Sequence, residues 1–146
     1  MAETLVLSED LAGGIRDHGA KGYPNEACGA ILGVDGESRE ARALFPLINR
    51  RDDSPRNRFS VTADDVRSAE RAAKEQGLEL IGWYHSHPDH PAKPSEFDRE
   101  HAWPWYSYVI VSVAAGQPRD MTSWRLSDDR THFRPEELSA RASGSR

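Results

Sequence analysis

The chain has 146 residues, 37% of them hydrophobic and 29% charged, with a formal net charge of -5. That length supports one domain around a single core and falls short of two. Mild acidity without a long basic run argues against nucleic acid as the main partner, and the single cysteine, Cys28, excludes an internal disulfide.

Taken in order, residues 4–7 read as a short strand. The N-terminus lacks a charged n-region and a long apolar stretch, so neither a signal peptide nor a membrane span is expected, and the cytoplasm is the default location. Ser8 caps a helix over residues 9–21, which Gly22 stops. The Gly13-Gly14 pair weakens this helix, and His18 reads as a surface residue on it. Residues 27–34 form an apolar β-run, Asp35-Gly36 is a hairpin signal, and residues 39–48 return. The polar stretch 49–58 reads as a loop whose charges face solvent, and 59–61 as a short strand. Thr62 with Asp64 and Asp65 opens the clearest helix, which Gly77 ends; Val66, Ala69 and Ala73 mark its buried face. A strand over 78–84 follows, then a short helix from Ser95 to about Ala102, broken by Trp103-Pro104-Trp105. The β-branched density of 106–113 predicts a strand buried on both sides. A loop over 114–120, a strand over 121–126, a turn at 127–129 and an edge strand over 131–134 complete the pattern. Residues 1–138 are expected to form the domain, and 139–146, small and polar, a disordered tail.

Chemistry concentrates at His85-Ser86-His87-Pro88. Residues i and i+2 of a strand share a face, so His85 and His87 project together. A Pro-rich loop follows, and a helix start brings back Ser95 and Asp98. Two imidazoles and a carboxylate are the ligand set of an open zinc site, with the fourth position left for water. Upstream, Glu26 opens an apolar strand, from which a carboxylate reaches a site on a neighbouring strand. Hydrolysis needs such a base, and it needs a donor such as the Ser95 hydroxyl for the developing oxyanion. Each part alone has a plainer reading. Paired histidines occur on ordinary exposed strands, and Ser95-x-x-Asp98 is a common helix cap.

Together, Glu26, His85-x-His87 and, seven residues on, Ser95-x-x-Asp98 resemble the JAMM (MPN+) metalloprotease signature. The Pro24-x-Glu26-x-Cys28-Gly29 and His85-Ser86-His87-Pro88 contexts are similar to the small prokaryotic members. The resemblance runs from about Thr4 to Phe133, and no motif position is missing. It implies an α/β fold, the single-domain cytidine-deaminase-like α/β/α sandwich with a curved mixed sheet. It implies one zinc per chain held by His85, His87 and Asp98, with Glu26 as general base and Ser95 assisting the oxyanion. The activity implied is that of a zinc metallopeptidase or isopeptidase. Its partner would be a ubiquitin-like sulfur-carrier protein or its conjugate, cut after the C-terminal Gly-Gly. Eukaryotic members carry long insertions that position a second ubiquitin; a chain this short does not support linkage-specific polyubiquitin cleavage. Two alternatives stand beside this reading: a non-catalytic MPN-type scaffold, and a zinc hydrolase of another amide. A zinc deaminase is set aside, because its His-x-Glu and Pro-Cys-x-x-Cys patterns do not occur.

The remaining candidates read more plainly. Cys28 shares a strand face with Glu26 and is a nucleophile in principle, but a lone cysteine in an apolar strand is more often a small buried hydrophobe. His90 reads as an exposed loop histidine rather than a substrate-side group. His101, three residues after Asp98, either orients that carboxylate or faces solvent. His132 has no expected role. Trp83, Trp103 and Trp105 are expected to wall the pocket rather than to stack nucleic-acid bases.

Overall fold

The structure is a computed structural model that describes residues 3–48 and 61–140. Its elements are β1 (Thr4–Val6), α1 (Glu9–Gly22), β2 (Cys28–Val34), β3 (Arg39–Leu47), α2 (Ala63–Glu75), β4 (Glu79–Pro88), α3 (Glu96–His101), β5 (Ser107–Ala114), β6 (Gln117–Leu126) and β7 (Phe133–Ser139). Among the described residues, no helix is long and apolar enough to cross a membrane.

The strands form one mixed sheet in the order β1-β3-β2-β4-β5-β6-β7, closed because β7 also pairs with β1. β4 and β5 run parallel, as do β1 with β3 and β1 with β7; the other neighbours are antiparallel. Alternation along β2 assigns the two helices to opposite faces. Ile31 packs with Ala12 and Ile15 of α1, whereas Ala30 and Leu32 pack with Ala69 and Ala73 of α2. The small residues of α2 let it lie close to the sheet, and a Thr62–Asp65 capping box starts it. Ser8 Oγ accepts the Leu11 N–H at 3.3 Å and starts α1. Gly82 admits the close approach of β4 and β5, since a Cβ there would fall 2.5 Å from the Ser107 carbonyl oxygen.

The sequence pattern placed the elements in order but missed three boundaries. β4 continues to Pro88, four residues beyond the expected 84, so both histidines lie within the strand. The expected 114–120 loop contracts to a tight turn in which Ala115 and Gly116 both have positive φ (51° and 81°), and β6 begins at Gln117. Paired positive φ suits the twist of a two-residue hairpin. The last strand is not an edge over 131–134. It is β7, bonded on both sides, and it ends at Ser139, whose carbonyl accepts the Leu7 N–H at 2.7 Å. Closure of the sheet thus takes up a residue expected in the tail. The expected loop 49–58, the start of the expected 59–61 strand and residues 141–146 lie outside the described residues.

Candidate metal centre and active site

β4 builds half of the site. Trp83, His85 and His87 alternate onto the α2 side of the sheet, while Tyr84 and Ser86 face the α1 side. After Pro88 the chain reverses at Asp89, whose φ is 58°. The loop is braced there: Asp89 N–H donates to the Val113 carbonyl at 2.8 Å, and its carboxylate accepts from Ala115 N–H at 2.8 Å and Tyr23 O–H at 2.6 Å. Ser95 then caps α3. Its Oγ accepts the Asp98 N–H at 3.0 Å, and Asp98 Oδ2 accepts the Ser95 N–H at 2.9 Å. The capping reading holds, and it is compatible with the metal reading, since the cap fixes the carboxylate that faces the histidines.

Three ligand atoms converge. His85 Nε2 and His87 Nε2 lie 3.0 Å apart, and Asp98 Oδ2 lies 3.3 Å from the first and 3.1 Å from the second. Ligands bonded at 2.0–2.2 Å in a tetrahedron stand roughly 3.3–3.6 Å apart, so a small outward shift seats zinc. His87 Nδ1 lies 2.8 Å from the Pro91 carbonyl, which only accepts. The Nδ1 therefore carries the proton and Nε2 presents its lone pair to the cluster. These donors fit a borderline-soft cation.

Electrostatics agree. Burial opposes a charged His85, but the charge and hydrogen bond of Asp98 and the charge of Glu26 outweigh it and push the imidazole up to about 9. Burial opposes ionised Asp98, yet His85, His87 and the Ser95 N–H hold it far below the usual carboxylate range.

Glu26 stands beside this cluster, 6% exposed. Burial raises its carboxyl, partly offset by His85 and His87. Its position is set by a residue that the sequence reading passed over. Ser86 Oγ accepts the Ala27 N–H at 2.8 Å, and Ser86 N–H donates to the Ala27 carbonyl at 2.9 Å. The signal was available: a serine between two ligands on a strand must face the opposite side, and there, among apolar neighbours, it needs a partner.

Two cavities meet at Glu26. A narrow one of about 60 Å³ is lined by His85, Asp98 and the aromatic residues Trp83, Phe97, Trp103 and Tyr108. A wider one of about 310 Å³ is lined by His87, His90, Lys93 and Ser95. Of the five motif residues, Glu26, His85 and Asp98 line the first and Glu26, His87 and Ser95 the second. Ser95 Oγ is engaged as an acceptor but keeps its O–H to donate. Cys28 is buried and faces the same cavity, and burial pushes its thiol well above the ordinary range. His90 is an exposed loop residue on the wider cavity. His101 stacks on Phe97 with its Nδ1 2.9 Å from the Phe97 carbonyl, and so holds α3 rather than Asp98. Trp105 does not line the cleft; the buried Arg39 lies against its ring and donates to its carbonyl at 2.6 Å. His18 is not a plain surface residue, because Nδ1 meets the Tyr84 hydroxyl at 2.7 Å behind the sheet.

Comparison with known proteins follows the same lines. The chain is 34% identical over 113 residues to the desampylase of Haloferax volcanii, covering 74% of this chain and 80% of that one. It is 30% identical over 125 residues to the CysO-cysteine peptidase of Mycobacterium bovis, covering 85% and 84%. A solution structure of a protein from Salinibacter ruber superposes with a TM-score of 0.75 at 44% identity, over 99% of this chain and 94% of that one. The family model of prokaryotic homologues of the JAB domain matches residues 8–127. Spanning most of the chain and both halves of the metal cluster, that match makes the protein a member of the prokaryotic JAB (JAMM/MPN+) domain family.

Proposed function

We propose that this protein is a zinc-dependent peptidase or isopeptidase, cutting after the C-terminal Gly-Gly of a ubiquitin-like sulfur-carrier protein and releasing whatever is attached. The observation that carries the catalytic part is the convergence of His85, His87 and Asp98 beside a buried carboxylate, Glu26. The substrate part is supported by relatives named as a desampylase and a CysO-cysteine peptidase. The cytidine-deaminase-like relationship belongs to the same proposal, supported by helices on both faces of the sheet.

Zinc, when bound, supplies a Lewis acid that polarises a carbonyl and acidifies a water. The protein side supplies the rest. Asp98, fixed by the Ser95 cap, and His87, fixed by Pro91, are oriented before the ion arrives, which lowers the cost of assembling the site. Glu26 accepts the proton that the attacking water loses as its oxygen bonds the scissile carbon. The raised carboxyl then returns that proton to the leaving nitrogen as the C–N bond breaks. Ser95 O–H donates to the oxygen on which charge accumulates. The surrounding aromatic wall keeps bulk water from competing.

The scaffold reading is disfavoured because a complete ligand set is retained. A panel of sulfur-carrier fusions ending in Gly-Gly and a short extension, with Ala-Ala controls, tests the substrate. Cutting of Gly-Gly fusions alone is expected. Equal cutting points to a general peptidase, and no cutting by zinc-loaded protein points to another amide.

A further inference from the structure

The Pro91 carbonyl that orients the His87 ring belongs to no helix or strand; it lies in the loop between β4 and α3. His87 Nδ1 stands 2.8 Å from its oxygen, and the Lys93 N–H donates to the same oxygen at 2.9 Å. Both lone pairs are therefore taken, and the oxygen faces His87 only while the loop keeps its shape.

That shape turns on one residue. In His87-Pro88-Asp89-His90-Pro91 the two prolines fix their own φ and bias the residues before them to extended backbone. Asp89 lies between, and the chain reverses there at φ 58°, a left-handed conformation that aspartate and asparagine enter more readily than most side chains. Its carboxylate holds the turn from two directions: Oδ1 accepts the Ala115 N–H at 2.8 Å, and Oδ2 accepts the Tyr23 O–H at 2.6 Å. Its own N–H donates to the Val113 carbonyl at 2.8 Å. On the other side of Pro91, the Thr122 O–H of β6 donates to the Ala92 carbonyl at 2.6 Å, and the Trp124 Nε1–H donates to the Thr122 oxygen at 2.8 Å. The Pro91 carbonyl is thus held between two anchors, at Asp89 and at Ala92.

We infer that Asp89 is a positioning residue for the metal centre: its carboxylate holds the loop so that the Pro91 carbonyl keeps the His87 ring turned with Nε2 toward the cluster. Asp89 acts through Pro91 and not on the ion. The inference rests on the metal reading above and adds what keeps His87 in place before the ion arrives. The same carboxylate, through Tyr23, also ties the His87 loop to the segment that leads to Glu26.

The test compares Asp89→Asn with Asp89→Gly. Both accept a left-handed backbone, but only asparagine keeps an acceptor for the Ala115 N–H and offers an amide donor to the Tyr23 oxygen. Zinc affinity is read by competition with a chromophoric chelator, and the His87 Nδ1–H by NMR of ¹⁵N-labelled, zinc-loaded protein. Asp89→Gly should bind zinc about tenfold more weakly than native protein, and its His87 Nδ1–H should move upfield and exchange faster with solvent. Asp89→Asn should stay near native in both readings. Tyr23→Phe, which removes one bond and keeps the ring, should shift both readings in the same direction as Asp89→Gly but by less; it decides the matter where Asp89→Gly does not fold. Native zinc affinity and an unmoved His87 proton in the Gly variant overturn the inference even if its melting temperature falls, since the carboxylate would then brace the loop and nothing more. Equal weakening in the Asn and Gly variants also overturns it, because charge rather than the two hydrogen bonds would be responsible. Native protein that binds no stoichiometric zinc contradicts the metal reading itself, and this inference with it.

Discussion

Ser86 Oγ lies 2.8 Å from the backbone nitrogen of Ala27, and the Ser86 N–H returns a bond to the Ala27 carbonyl at 2.9 Å. Ser86 sits between the two histidines, and Ala27 directly follows Glu26. The strand that carries His85 and His87 is therefore tied directly to the residue that follows Glu26. Ser86→Ala leaves the buried Ala27 N–H without that acceptor, at a cost of about 1–3 kcal/mol in stability. We expect kcat to fall about tenfold or more while zinc content and KM stay near native, because a small displacement of a positioned group is enough. Denaturant unfolding and steady-state kinetics on the same preparations check this. An unchanged kcat would mean that Glu26 is held by other contacts.

Metal removal gives the second expectation. Chelation should abolish hydrolysis, and one equivalent of zinc should restore it. His85→Ala combined with His87→Ala should leave no stoichiometric zinc by elemental analysis, since a single carboxylate cannot hold the ion alone. Zinc retained at one per chain in that double variant would mean that the ion sits elsewhere.

On the proposed mechanism Ser95 has two tasks, a helix cap and an oxyanion donor, which substitution separates. Ser95→Ala removes the α3 cap, worth about 0.5–2 kcal/mol, and an oxyanion donor, worth about 10²–10³ in kcat. Ser95→Asp restores a cap acceptor but not the donor. It should recover stability without recovering rate, as thermal unfolding and kcat will show. Recovery of both would make Ser95 a cap and nothing more.

Cys28 should be chemically silent. It is 3% exposed, and burial keeps its thiol protonated at neutral pH. Native protein should resist iodoacetamide at pH 8 and react only after unfolding, by mass spectrometry. Cys28→Ala should keep most activity. Loss of turnover with the zinc still bound would reopen the nucleophile reading.

The candidate site was more legible than the fold around it. Glu26, His85, His87, Ser95 and Asp98 carry their chemistry in residue type and spacing, and the period of a strand is enough to aim His85 and His87 together. Ser86 was missed because its partner is a backbone amide distant in sequence, which side-chain patterns do not show. His18 was misjudged for a similar reason: its partner, Tyr84, lies across the sheet. Closure of the sheet was illegible because β1 is three residues long and pairs with β7 across nearly the whole chain. Trp83 read correctly as a wall, but that its buried N–H has no partner among the described residues is visible only once its surroundings are built.

The account stands most directly on Glu26→Gln. Gln is nearly isosteric and keeps the packing of a residue that is 6% exposed, but it cannot take the water's proton. Zinc content and unfolding midpoint should stay near native, while kcat on a Gly-Gly carrier fusion should fall by about 10²–10⁴. Near-native turnover in a folded, zinc-loaded Glu26→Gln protein would contradict the account.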